Sequence, residues 1–231
     1  MSSVGGADTD PPGAPLLGAM STTGLPWPDR GGGPLIRPGL HMCALYCGAE
    51  QRDAVLLPYV LDGLRRGDKC VVGIDETVAG TVHDRVDEIQ GAVRTDQLLV
   101  GSSTEQLSSG GRSAIDGLIA FWDAAVRSAR EDGYDFVRLA AEASWWLPSS
   151  PEPAEIAHDE VRLGSYAARH RPSVLCLYDV AAHGAGSVID LVRLHQVILF
   201  SGLVLENPYY EPPDELELRS EAEGNVPYRR S

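Results

Sequence analysis

Within HMCALYCGAEQRDA, residues 41–54, a histidine and two cysteines crowd onto a run that reads as an apolar strand entering a turn and then a helix. Two chemistries are open to such a stretch: a metal held by His41, Cys43 and Cys47, or a phosphate held at the turn. On an extended strand the three residues share one parity, so their side chains can face one way. Structural zinc sites favour four ligands, with a tight pair on a loop or turn. Here the pair lies along a strand, and the remaining cysteines, Cys70 and Cys176, belong to other strands. Packed strand residues are the better reading, with His41 the one best placed to touch a ligand.

The turn itself reads YCGAEQRDAV, with one glycine and no lysine. A phosphate loop needs G-x-x-x-x-G-K-[ST] so that backbone N–H groups and an ammonium can hold the anion. Glu50 would instead present negative charge, which argues against ATP or GTP hydrolysis at this turn. The dinucleotide pattern G-x-G-x-x-G is absent after this strand, and no G-x-S-x-G nucleophile elbow exists. Glu142 with Asp179 could serve as an acid–base pair, although ligand binding, or pairing with Arg138, suits them better. In RLAAEASWWLPSSP, residues 138–151, Arg138 and Glu142 share strand parity and are expected to pair. Trp145 and Trp146 would form either core and cover, or an aromatic wall for a small apolar ligand.

These residues need elements to position them. Strands are expected at 41–47, 69–75, 97–103, 136–144 and 173–180, with a final extended segment at 197–208. Helices are expected at 52–67, 77–90, 113–133, 154–170 and 188–196. Strands apolar on both faces and separated by helices predict an α/β fold, a three-layer, mostly parallel sheet with helices on both faces. In such sheets ligands sit beyond the carboxyl ends of the strands. That rule gathers Tyr46, Gly48, Glu50, Asp75, Glu76, Arg138, Glu142, Trp145, Trp146, Tyr178, Asp179 and His183. The stretch LENPYYEPP, residues 205–213, reads as a rigid loop, either a lid over the strand ends or a strap.

The formal charge of −14 repels nucleic acid and anionic membrane, so any transcriptional role passes through a partner. No apolar run approaches the roughly 18 residues of a membrane span. The N-terminus lacks the basic start and apolar core of a secretion signal, which points to a cytoplasmic protein. Residues 1–38 are expected to be a disordered tail, 39–213 the folded domain, and 214–231 a charged tail.

Several motifs in order carry a resemblance: H-x-C-x-x-Y at 41–46 followed by Glu50, GLRRGDKC at 63–70, R-x3-E-x2-W at 138–145, CLYD at 176–179, and His195 before NPYYEPP at 207–213. Together they resemble the MEDS domain, the sensory domain of methanogen and methylotroph regulators related to the dichloromethane-responsive repressor. The resemblance covers about residues 40–213. It implies a non-catalytic sensor of small hydrocarbon-derived molecules, on a core like that of RecA and circadian-clock ATPases with the phosphate loop degenerated. It carries over ligand-binding roles to His41, Tyr46, Glu50, Arg138, Glu142, Trp145, Tyr178, Asp179, His195 and Asn207, with no cofactor. QLSSGGR at 106–112 departs from the aromatic that relatives often carry there, so ligand choice could differ. No output segment accompanies the domain, which implies signalling in trans to a regulatory partner of anti-sigma or histidine-kinase type. The alternatives are a ligand-free protein-interaction module, or a metal- or haem-dependent protein using His41 and Cys43.

Overall fold

The computed structural model describes residues 36–87, 94, 96–101, 113–143, 153–201, 203–213 and 215. Seven strands form one sheet in the order β3-β2-β4-β5-β1-β6-β7. They are β1 (His41–Tyr46), β2 (Lys69–Gly73), β3 (Leu98–Gly101), β4 (Val137–Glu142), β5 (Ser173–Asp179), β6 (Val197–Phe200) and β7 (Leu203–Glu206). All pair in parallel except β7, which returns antiparallel along β6. Five helices are described: α1 (Gly48–Arg66), α2 (Glu76–Asp87), α3 (Ala114–Glu131), α4 (Pro153–His170) and α5 (Val180–Leu194). The mostly parallel α/β sheet expected from the sequence is present.

Strand parity divides the core into two clusters. Met42, Ala44, Tyr46, Val72, Ala140, Leu175 and Leu177 pack with α1 and α2 on one face. Cys43, Leu45, Val71, Leu139, Ala141, Val174, Cys176 and Tyr178 pack with α3, α4 and α5 on the other. Every residue of β1, β2 and β4 is buried; β1 reads as a nearly continuous apolar run for that reason, while β4 buries the charged Arg138 and Glu142 that interrupt it.

Local chemistry sets the helix ends. Asp75 Oδ1 accepts from Val78 N–H at 3.0 Å at the start of α2, and Asp179 Oδ1 accepts from Ala181 N–H at 2.9 Å at the start of α5. Gly67 ends α1 with φ +85, the left-handed conformation that glycine supplies cheaply, and its N–H and that of Asp68 close on Leu64 and Gly63 carbonyls. The helix runs through Pro58.

Two expected elements are corrected. The last helix begins at Val180, not 188, because Asp179 caps it directly from the strand; the Gly- and Ala-rich start hid it. The segment 197–208 is not one extended run but a hairpin, turned at Ser201 with φ +46. The expected N-terminal tail lies outside the described residues except 36–38, where Ile36 packs against the core, and the C-terminal tail lies outside them except residue 215.

Candidate functional site

Six of the ten expected ligand residues, Tyr46, Glu142, Arg138, His41, Tyr178 and His195, fall into three places. At the carboxyl end of the sheet, on the α1 face, the Tyr46 hydroxyl donates to Glu142 Oε1, and Arg52 Nη1 stands 3.6 Å from the same oxygen. Arg52 is itself steered by Asp53, 2.9 Å away. Burial, then the hydrogen bond to Glu142, pushes the Tyr46 phenol far above its ordinary range, so it stays a protonated donor. The second carboxylate oxygen, Glu142 Oε2, is buried and has no hydrogen-bond partner among the described residues. The strand-end rule gathered both Tyr46 and Glu142, and the structure brings them into contact; Arg52, one turn into α1, was missed.

Glu50 is exposed in the first turn of α1, where a carboxylate complements the helix dipole. The Cys47 N–H, which a bound anion could otherwise use, donates to Gln51 Oε1 at 3.0 Å. The chain thus takes up this one N–H itself, while the N-cap side chain of Cys47 makes no capping hydrogen bond. Asp179 is the cap of α5. Trp145 and Trp146 lie outside the described residues, as does the segment 106–112.

At the amino end of the same face sits Arg138. Its Nε donates to Asp68 at 2.7 Å, its Nη2 to Asp62 at 2.8 Å and its Nη1 to the Tyr59 carbonyl at 3.1 Å. The guanidinium also lies over the Tyr59 ring, 5.4 Å from its centroid. Gly63 makes this possible: a Cβ there would fall 2.7 Å from Cys70 Sγ and 2.8 Å from Arg138 Cδ. The expected Arg138–Glu142 pair is therefore corrected. Four residues along a strand span about 13 Å, so the two share a face but serve opposite ends of β4.

The third place is sealed under α4 and α5. His41 opens β1, Cys176 lies opposite Cys43 in the β1–β5 register, Glu160 points in from α4, and His195 ends α5. All are 0–1% exposed. Glu160 Oε2 is 3.1 Å from His41 Nε2 and 2.9 Å from His195 Nε2, while its Oε1 accepts from the Tyr178 hydroxyl. Cys176 Sγ is 3.4 Å from His41 Nε2, and the two imidazoles stack loosely at 4.2 Å. Burial works to raise the Glu160 carboxyl, and the two histidines outweigh it and hold it below the carboxylate range. Burial, then His195, lowers His41. Burial pushes the thiols of Cys43 and Cys176 well up.

The metal trio considered from sequence is corrected too. Cys47 is exposed beyond the strand, and the grouping the fold makes is His41, Glu160, Cys176 and His195. Spacing could not show a set drawn from four elements. One signal was available: Ile156, Glu160, Leu163 and Ala167 form one helical stripe whose other members are core residues. An acid at a core position of a helix needs a partner.

The segment 205–213 is a strap at the amino edge, not a lid over the strand ends. Asn207 Nδ2 donates to the His195 carbonyl at 2.9 Å and also to that of Val192, and Glu211 N–H donates to the Arg193 carbonyl at 2.9 Å. Asn207 thus belongs to the closure of α5.

Among the described residues no helix is long and apolar enough to cross a membrane. No curated protein matches the chain. The family model of MEDS, the methanogen/methylotroph, DcmR sensory domain, matches residues 40–196, well over half of the sequence, and the chain belongs to that family.

Proposed function

We propose that this domain is a non-catalytic cytoplasmic sensor that receives a small organic, hydrocarbon-derived molecule, uncharged or cationic, beside Glu142, Tyr46 and Arg52 at the carboxyl ends of the strands. Family membership supports the sensory role. One observation carries the location: Glu142 Oε2 is a buried acceptor with no partner among the described residues. A buried carboxylate oxygen left unsatisfied costs free energy, so a donor brought by a ligand is favoured there. The core is read as RecA-like with its phosphate loop replaced, and the α1 start, with the acid Glu50 in its first turn and Gln51 on the Cys47 N–H, supports that reading.

Binding would bias a surface offered to a regulatory protein in trans, of anti-sigma or histidine-kinase type. The β6–β7 hairpin supports such a role, since Phe200, Leu203 and Leu205 are about half exposed on the last strands of the sheet. Titrating the full chain with methanol, methylamine, trimethylamine and dichloromethane, while following tryptophan fluorescence and melting, tests the sensor reading. A saturating ligand is expected to raise the melting temperature by about 5 °C or more. A panel of such molecules that moves neither signal refutes it.

A further inference from the structure

The cluster under α4 and α5 carries a chemistry that the strand-end site does not need. Its donors are two imidazole nitrogens, a thiol sulfur and a carboxylate oxygen, all within 4.8 Å of one another. Ligand atoms around a tetrahedral zinc with bonds of about 2.0–2.3 Å stand roughly 3.3–3.8 Å apart. The contacts here, 2.9, 3.1 and 3.4 Å, approach the edges of such a polyhedron.

Proton placement argues the same way. His195 Nδ1 is 2.6 Å from the Leu191 carbonyl, which can only accept, so Nδ1 carries a hydrogen. In the neutral ring the lone pair is then on Nε2, facing the cluster. Glu160 Oε2 lies 2.9 Å from that nitrogen, yet neither atom makes a hydrogen bond among the described residues. The two are close but not aimed at each other, as two ligands of a common cation are. Outer partners orient two of the four ligands, while His41 Nδ1 is buried with no hydrogen-bond partner among the described residues. The Leu191 carbonyl orients His195, and the Tyr178 hydroxyl occupies Glu160 Oε1 and leaves Oε2 free.

We infer that His41 Nε2, Glu160 Oε2, Cys176 Sγ and His195 Nε2 are the four ligands of a structural zinc ion buried between the sheet and helices α4 and α5. Two neutral imidazoles, a thiolate and a carboxylate balance a divalent cation, and nitrogen–sulfur donors in this geometry select zinc over magnesium or calcium. Four protein ligands close the coordination sphere, so the ion fastens α4 and α5 to the central β1–β5 pair and does no chemistry. Because the site is sealed, the ion enters as the chain folds.

The full chain, unfolded, stripped with chelator and refolded with Co2+, tests this. One equivalent of cobalt is expected, with visible ligand-field bands and a near-ultraviolet thiolate-to-cobalt band. Cys176→Ser should lose the thiolate band and keep ligand-field bands, whereas Cys43→Ser should keep both. Protein isolated from zinc-supplemented cells should hold about one zinc per chain after desalting. Wild-type protein that refolds to the native circular-dichroism spectrum with less than a tenth of an equivalent of either metal overturns the inference. A thiolate band unchanged in Cys176→Ser also overturns it. Should that variant not fold, the wild-type spectrum decides alone, since thiolate ligation is either present in it or absent.

Discussion

The two ends of β4 treat a buried charge in opposite ways. At Arg138 the guanidinium has Asp62, Asp68, the Tyr59 carbonyl and the Tyr59 ring, all from α1 and the turn that follows it. At Glu142, four residues on, one oxygen is held by Tyr46 with Arg52 nearby, and the other has no hydrogen-bond partner among the described residues. A charge satisfied from within holds the fold together. A charge with an open valence at the ligand end of a parallel sheet is available for recognition. On the proposed function, the difference separates a structural residue from a sensing one, although sequence parity puts both on one face.

The strongest way to break this contrast is Arg138→Met. Removing Arg138 from this buried ionic network strands Asp68 and leaves Asp62 with Arg66 alone, and we expect a loss of about 3–5 kcal/mol in urea unfolding. A loss below about 1 kcal/mol would mean that Arg138 is not the structural end. Gly63→Ala presses on the same network from α1 without touching a charge. Overpacking against Cys70 and Arg138 should cost about 1–3 kcal/mol, visible as a lower melting temperature.

Asp159, half-buried on α4, stands between the two cases. Burial pushes its carboxyl from the ordinary 3.8 up to about 7, against the pull of Arg162. Between those values the folded chain holds a proton that the unfolded chain lacks. Asp159 therefore favours folding at low pH, and that contribution fades as pH rises through 7. Asp159→Asn should be more stable than wild type at pH 8 by about 1–2 kcal/mol, after allowing for solvent screening. The gain should vanish near pH 4 in paired urea melts. The smallest effect belongs to Glu142→Gln, which keeps an acceptor for Tyr46 and should change ligand-free stability by less than about 1 kcal/mol.

The sheet was legible because parallel strands buried on both faces write continuous apolar runs, as in HMCALY and SVLCLY. The β6–β7 turn was not, because Ser201 and Gly202 interrupt an otherwise unbroken apolar run. Tyr46 and Glu142 were both gathered by the strand-end rule, which collects residues by strand end without saying which of them touch. Arg138 was misassigned because parity fixes a face and says nothing of which end of the strand a partner occupies. Cys176 reads as an inert mid-strand thiol, and only the register beside Cys43 and the approach of α4 bring it to His41. Glu160 was missed because a helix in a long amphipathic run can hide one inward acid among its surface acids.

The central claim is that Glu142 marks the sensing end of the sheet. Melting of wild type and Glu142→Leu, with and without whichever probe of the methanol, methylamine, trimethylamine and dichloromethane panel stabilises wild type, tests it most directly. The account predicts a rise of about 5 °C or more in wild type and a rise near zero in the variant, each measured from its own ligand-free melting temperature, with both reaching the native circular-dichroism spectrum. An equal rise in the two proteins would place the ligand elsewhere and contradict it.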